Sequence, residues 1–309
     1  MNRSKLLRRS LAGVIATLLL CDLLGLFSVL RRVTPVTVDT AVSRFRAAQY
    51  QAGSPAPGES ASAAAGPVAS VLASTQAPVP TGAAPASTVK ATKAAATRTS
   101  TATPVATPTQ AKPGVYVYAT NGFETLAVLS ARHDYPAQTT MTVTPNDCGR
   151  AIRWDGLDQR YDSWDTCAAG QGVRLRSFVS YHNFYGQAVR RDYTCTPSTY
   201  FRPDADQAGT KFLGQCHSSD GDAILDGRIV GIETLTVAGQ AVPVVHVRVD
   251  ETLTGGTKGT RAADSWYAVA DNLLVKRTSA TDADTQTPFG YSHYHEVLSV
   301  TLADLHPHQ

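Results

Sequence analysis

The 309 residues contain no GxSxG nucleophile elbow, no HExxH helix and no Walker phosphate loop. Hydrolase, metalloprotease and nucleotide-binding chemistry therefore leave no local signature. Ser/His/acid groupings are defined by geometry rather than spacing, so a hydrolase stays open on that ground alone. Closely spaced cysteine pairs are also missing. Cys148, Cys167, Cys195 and Cys216 stand 19, 28 and 21 positions apart, unlike the tight pairs of structural zinc sites. No metal or cofactor is expected. From Ala52 to Lys112 there is almost no aromatic or branched bulk beyond valine. Beyond residue 113 no run of ten or more residues carries a helical period.

The longest apolar run is LAGVIATLLLCDLLGLFSVL, Leu11–Leu30, interrupted only by Asp22. At the helical rise it spans about 30 Å, the thickness of a bilayer core. It exceeds the core of a cleavable signal, and no small-x-small cleavage site follows. The run predicts an uncleaved signal anchor. A lipoprotein box at Cys21 would need a small residue in place of Leu20, and cleavage behind the run is the other alternative. Residues 1–10 carry Arg3, Lys5, Arg8 and Arg9, which places them in the cytoplasm as a basic N-terminus and the rest of the chain outside. The expected location is the cell membrane, single-pass, with an extracytoplasmic C-terminal domain.

Residues 31–51 read as a juxtamembrane segment. In it Val38, Val42 and Phe45 fall at helical spacing, compatible with a surface-lying helix. Residues 52–112, rich in Ala, Pro, Ser and Thr, cannot bury enough apolar surface to offset chain entropy and read as a disordered linker. Charge follows the same division. Residues 1–112 hold 12 basic and 3 acidic side chains, and residues 113–309 hold 16 and 22. An acidic domain behind a basic stem argues against nucleic acid as a partner.

Residues 113–309 alternate as strands nearly throughout. VYVYAT leads into Asn121-Gly122, a two-residue hairpin signal, and then into FETLAVLSA. TTMTVTP, VRLRSFVSYH, QAVRRDYTC, RIVGIETLTV, QAVPVVHVRVDETL, DSWYAVA, NLLVKRTSA and YSHYHEVLSVTLADL follow. Ala238-Gly239 and Asp271 mark tight turns. Ten or more antiparallel strands are expected, all-β, in a curved sheet or open half-barrel. In VVHVRVD, Val245, Val247 and Val249 face one side while His246, Arg248 and Asp250 face the other.

In an oxidising compartment the even count of four cysteines in residues 113–309 predicts disulfides. Three pairings exist, and the sequence neighbours Cys148–Cys167 and Cys195–Cys216 are the expected ones. Each closes a loop of about twenty residues, worth roughly 3 kcal/mol by chain entropy. Trp154 and Trp164 then form a small core within the first loop, or a surface on which a sugar stacks. His293 and His295 share a strand face, but two ligands are too few for a metal site, and the sequence does not choose among His182, His217 and His246 for a third. SSDGDAILDG breaks the calcium-loop pattern at Gly221 and reads as an acidic turn.

The order RIVGIETLTVAGQAVPVVHVRVDET, a glycine loop, then DSWYAVADNLLVKR resembles the sheet repeat of bacterial envelope proteins with LolA-like or TapB-like (DUF3108-like) half-barrels, over Arg228–Arg277. With its anchor and stalk, the chain is also similar to uncharacterised single-pass actinobacterial envelope proteins. That resemblance implies a lipid or other envelope ligand on the concave sheet. Val245, Val247, Val249 and Trp266 are the candidate ligand-binding residues. The expected function is non-catalytic binding. The alternatives are a structural or protein-interaction module of the envelope, its protein partner unknown, and a cell-wall hydrolase.

Overall fold

In the computed structural model the described residues are 33–53, 110–170, 172–184, 186–196, 200–202, 208–288 and 290–309. The apolar run 11–30 and nearly all of the linker lie outside them. Among the described residues no helix is long and apolar enough to cross a membrane.

One helix, α1 (Val38–Gly53), precedes fourteen strands: β1 Gly114–Leu126, β2 Ala131–Asp134, β3 Gln138–Pro145, β4 Gly149–Leu157, β5 Arg160–Ala169, β6 Gly172–Phe184, β7 Gln187–Cys195, β8 Tyr200–Arg202, β9 Lys211–Ser218, β10 Gly221–Val237, β11 Gln240–Leu253, β12 Thr257–Ala268, β13 Leu274–Thr287 and β14 Gly290–Leu302. Neighbours pair antiparallel, and β14 returns to pair with β1 over Tyr118–Leu126. Twelve strands thus close a barrel, with β2 paired on the second half of β1 and β8 on the start of β6. The half-barrel expectation is corrected here. A sheet this long and twisted removes its edges by meeting itself.

The Asn121-Gly122 hairpin does not form. β1 runs straight through, pairing β3 over Gly114–Ala119 and β2 over Phe123–Leu126. Gly122 serves the closure instead: at φ 141° its Cα passes so close to β14 that a Cβ would lie 2.0 Å from the Val297 carbonyl oxygen. Ala238 (φ 47°) and Gly239 (φ 79°) do form the tight β10–β11 turn. The segment between Cys148 and Cys167, expected as a loop, is the β4–β5 hairpin of the wall. In β6 the alternation breaks because a register shift opposite Asp165/Thr166 skips Arg176, so Leu175 and Phe178 both face the core.

The inner face is apolar around a cluster of enclosed charges, and the outer face carries cross-strand ion pairs. On the outer face His246 bonds Glu233 (2.8 Å) and Asp264 (2.9 Å), and Arg248 bonds Asp264 and Asp250. A membrane-spanning barrel would carry an apolar band on that outer face. α1 covers part of the outer wall. Thr37 caps it by accepting from the Thr40 N–H, and Ala41 and Phe45 bury Val115, with Val42 beside them. Arg44 reaches Asp158 at 3.0 Å. The helix predicted from Val38, Val42 and Phe45 is present, and that apolar stripe lies against the barrel.

Both expected disulfides are formed. They hold very different places. β7 and β9 share only two register pairs, Thr194↔His217 and Cys195↔Cys216, and the second pair is itself the bridge. Cys148–Cys167 closes the end of a hairpin that pairs along its whole length. Replacing Cys195 and Cys216 by Ser is therefore expected to cost about 2–5 kcal/mol and to raise amide exchange along β7 and β9. The Cys148/Cys167 double variant should raise exchange only near its own hairpin end. Equal spread of exchange in both variants would refute a special role for the β7–β9 seam.

Candidate functional site

A barrel of eight strands is just filled by side chains, and larger ones leave room. Twelve strands here enclose two cavities at opposite ends. One, of about 130 Å³, lies under Ala111 and is lined by Met141, Val143, Ile152, Tyr267 and Leu274. Ala111 is held there by its N–H on the Asp271 carbonyl (2.8 Å) and by Arg150 on its own carbonyl (2.9 Å). The other, of about 80 Å³, opens between the β6–β7 and β13–β14 turns. A middle layer separates them, with Arg277 facing the Trp164 ring at 5.4 Å.

The second cavity carries the chemistry. Its apolar wall includes Leu126, Phe178, Phe184 and Leu253; its polar wall includes Arg160, Ser180, His182, Arg261 and Thr281. Arg160 is fully enclosed. It forms a bidentate pair with Asp162 (2.7 and 2.9 Å), donates to Glu296 at 3.0 Å and lies 3.7 Å from Glu124. Arg261 donates to Glu251 at 2.7 Å. Tyr135 donates to Glu296, and Tyr294 to Glu124 at 3.0 Å. Burial, then the neighbouring carboxylates, push both tyrosines well above the ordinary phenol range, so they stay neutral donors.

Glu124 joins this network to β6. Its two oxygens meet His133 Nδ1 (2.9 Å) and His182 Nδ1 (2.8 Å). The other ring nitrogen of His182, Nε2, lies 3.0 Å from Ser180 Oγ. Ser180 and His182 are two apart on β6, so both point inward. Their cross-strand partners on β5 are Asp162 and Arg160, and on β7 Arg191 and Val189. Arg191, mostly buried, is fixed by Asp220, Thr285 and the Gly256 carbonyl. On β13, Thr281 Oγ1 is buried in the same cavity and has no hydrogen-bond partner among the described residues, which leaves a polar group unsatisfied.

Burial by itself would raise the Glu124 carboxyl. The facing His182, the hydrogen bonds from both histidines and the Arg160 charge outweigh it and hold the pKa at about 2, against an ordinary 4.5.

The candidate residues read from the sequence fall elsewhere. Val245, Val247 and Val249 face inward as sealed core, with Val247 and Val249 at the middle layer. Trp266 is the register partner of His246 and stacks on it at 4.2 Å, so it lies on the outer face, opposite Val247. Trp154 is core, donating Nε1 to Thr139. His293 and His295 are half exposed on the outer face beside Asp282, at 3.6 Å. Among the described residues no three His, Cys, Asp or Glu side chains assemble as a metal site. The sequence reading named His182 only as one of three possible metal ligands and did not single out Ser180 or Glu124. The Ser-x-His spacing in SYH was visible, but its acid lies far up the chain.

No family model matches the chain, and no curated protein does. Among solved structures, the hypothetical lipoprotein YmcC of Escherichia coli aligns at 13% identity over 63% of this chain and 90% of its own, with a TM-score of 0.31.

The depressed Glu124 pKa predicts an acid limit. Because the folded value lies below the unfolded one, its contribution, on the order of 3 kcal/mol, is complete above about pH 4.5 and is lost as pH falls towards 2. Melting temperature should therefore drop through that window. Glu124→Gln should be less stable at pH 7 and show a shallower fall; an acid slope identical to that of the unaltered chain would count against this assignment.

Proposed function

We propose that the protein is an extracytoplasmic β-barrel that binds a small acyl ester or amide in the cavity bounded by β6, β7, β13 and β14. The observation that carries this reading is the composition of that cavity: an open, largely apolar pocket whose wall holds the buried Thr281 hydroxyl, unpartnered among the described residues. Two disulfides support a fold made in an oxidising compartment, in keeping with an envelope ligand. The enclosed charges are already matched to one another, Arg160 to Asp162 and Glu296, Arg261 to Glu251. A neutral head that accepts a hydrogen bond thus fits better than a further anion. A cavity of about 80 Å³ has room for about five to eight heavy atoms, since a single water needs about 10–15 Å³ by the same measure, so it takes the polar head and first carbons of one chain, the rest leaving through its open mouth. A two-chain lipid would not be enclosed.

The test is native mass spectrometry of the full-length chain with undecan-4-one, the uncleavable ketone isostere of ethyl octanoate, and with octanoate. One ketone per chain is expected, bound more tightly than the acid. Val189→Trp, which fills this cavity, should abolish the adduct, and Val173→Trp at the opposite cavity should leave it. No adduct, or equal loss in both variants, would overturn the reading in favour of an interaction module with a self-filled interior.

A further inference from the structure

The same cavity holds a nucleophile arrangement. We infer that Ser180, His182 and Glu124 form a Ser–His–Glu triad that cleaves the acyl ester bound there. This inference rests on the binding reading above and adds a reaction to it.

The geometry has the polarity that such chemistry needs. Ser180 Oγ lies 3.0 Å from His182 Nε2, and His182 Nδ1 lies 2.8 Å from Glu124 Oε2. The carboxylate on Nδ1 places the ring proton there and leaves Nε2 to accept from the serine hydroxyl. Reach and order match a nucleophile, its base and the group that orients the base. The ring is held on a second side by Tyr294, edge-on at 5.0 Å. Glu124 is itself pinned by His133 and Tyr294, so the positioning carboxylate does not swing away. Ser180 and His182 both line the cavity, whereas Glu124 sits behind the histidine. Arg191, the cross-strand partner of Ser180, and Thr281, whose hydroxyl has no partner among the described residues, line the same cavity and are the groups assigned to meet the charge that develops on the ester oxygen. The apolar residues Phe178, Phe184 and Leu253 would take the acyl chain.

The step balances with water as the only co-reactant. Ser180 Oγ attacks the carbonyl carbon while its proton passes to His182 Nε2, and the carbonyl electron pair moves onto oxygen. Collapse breaks the ester C–O bond. The departing alkoxide takes the proton from Nε2 and leaves as the alcohol. Water then adds to the acyl-serine with its proton on Nε2. A second collapse releases the carboxylic acid and returns the proton to Ser180.

The test is covalent labelling of the full-length, disulfide-bonded chain with an octyl fluorophosphonate, read by intact mass and peptide mapping. One label at Ser180 is expected, with fluoride as the leaving group. Ser180→Ala should lose the label completely while keeping its melting temperature. His182→Gln should slow labelling on the order of 100-fold. Glu124→Gln should slow it as well, and Glu124→Asp should restore part of the rate, which a purely structural role would not predict. A folded chain that holds undecan-4-one but takes no label, or takes it at another serine, overturns the triad and leaves binding intact. Labelling at an unchanged rate in His182→Gln also overturns it. Absence of both label and ketone adduct overturns the binding reading together with the triad.

Discussion

The guanidinium of Arg160 is the point on which the barrel interior depends. It comes from β5 and meets carboxylates from its own strand, from β14 and from β1. An unpaired cation at that depth would cost several kcal/mol, so the three carboxylates and the arginine must be placed together or not at all. Their pairing links β5 across the interior to the β1–β14 junction, the contact that closes the sheet. Closure is thereby specified by charge as well as by backbone hydrogen bonds.

Why charge is there at all follows from width. Twelve strands hold their walls too far apart for valine and leucine to meet in the centre. Long side chains do the bridging: Arg160, Arg261 and Arg277, with Trp164, Phe178 and Tyr267 between them. Each buried cation then demands a partner or an aromatic face, which explains the density of acids and tyrosines inside. Where the bridging stops, at the two ends, cavities remain. The cavity on the Arg160 side inherits polar groups from this network, and that inheritance sets Ser180, His182 and Thr281 around an apolar floor.

The outer wall is built on other terms. Cross-strand ion pairs around His246 and Arg248 make it charged there, and α1 seals Val115 where β1 would otherwise show an apolar outer face. The weak β7–β9 contact is held covalently at one of its only two paired positions. A barrel with one such seam keeps its enclosed charges dry only while the seam stays shut.

Much of this was legible in the residues themselves. Strand character, the Ala238-Gly239 turn and the inward set Val245, Val247 and Val249 follow from period-two alternation, which is local. So does the helical stripe of α1. The disulfide pairing followed from an even count and nearest spacing. Three things were out of reach. Gly122 carries the same local signal whether it turns a hairpin or admits a neighbouring backbone, and only β14 arriving beside it decides. Trp266 was grouped with the valines by sequence proximity, although strand parity puts it on the other face. Glu124 comes from β1, whereas Arg160 and His182 face each other on β5 and β6, and nothing local to either segment announces that the two ends of the sheet meet there. Alternation tells which way a side chain points relative to its own strand. Which side chains meet inside depends on closure and register, and those are properties of the whole sheet.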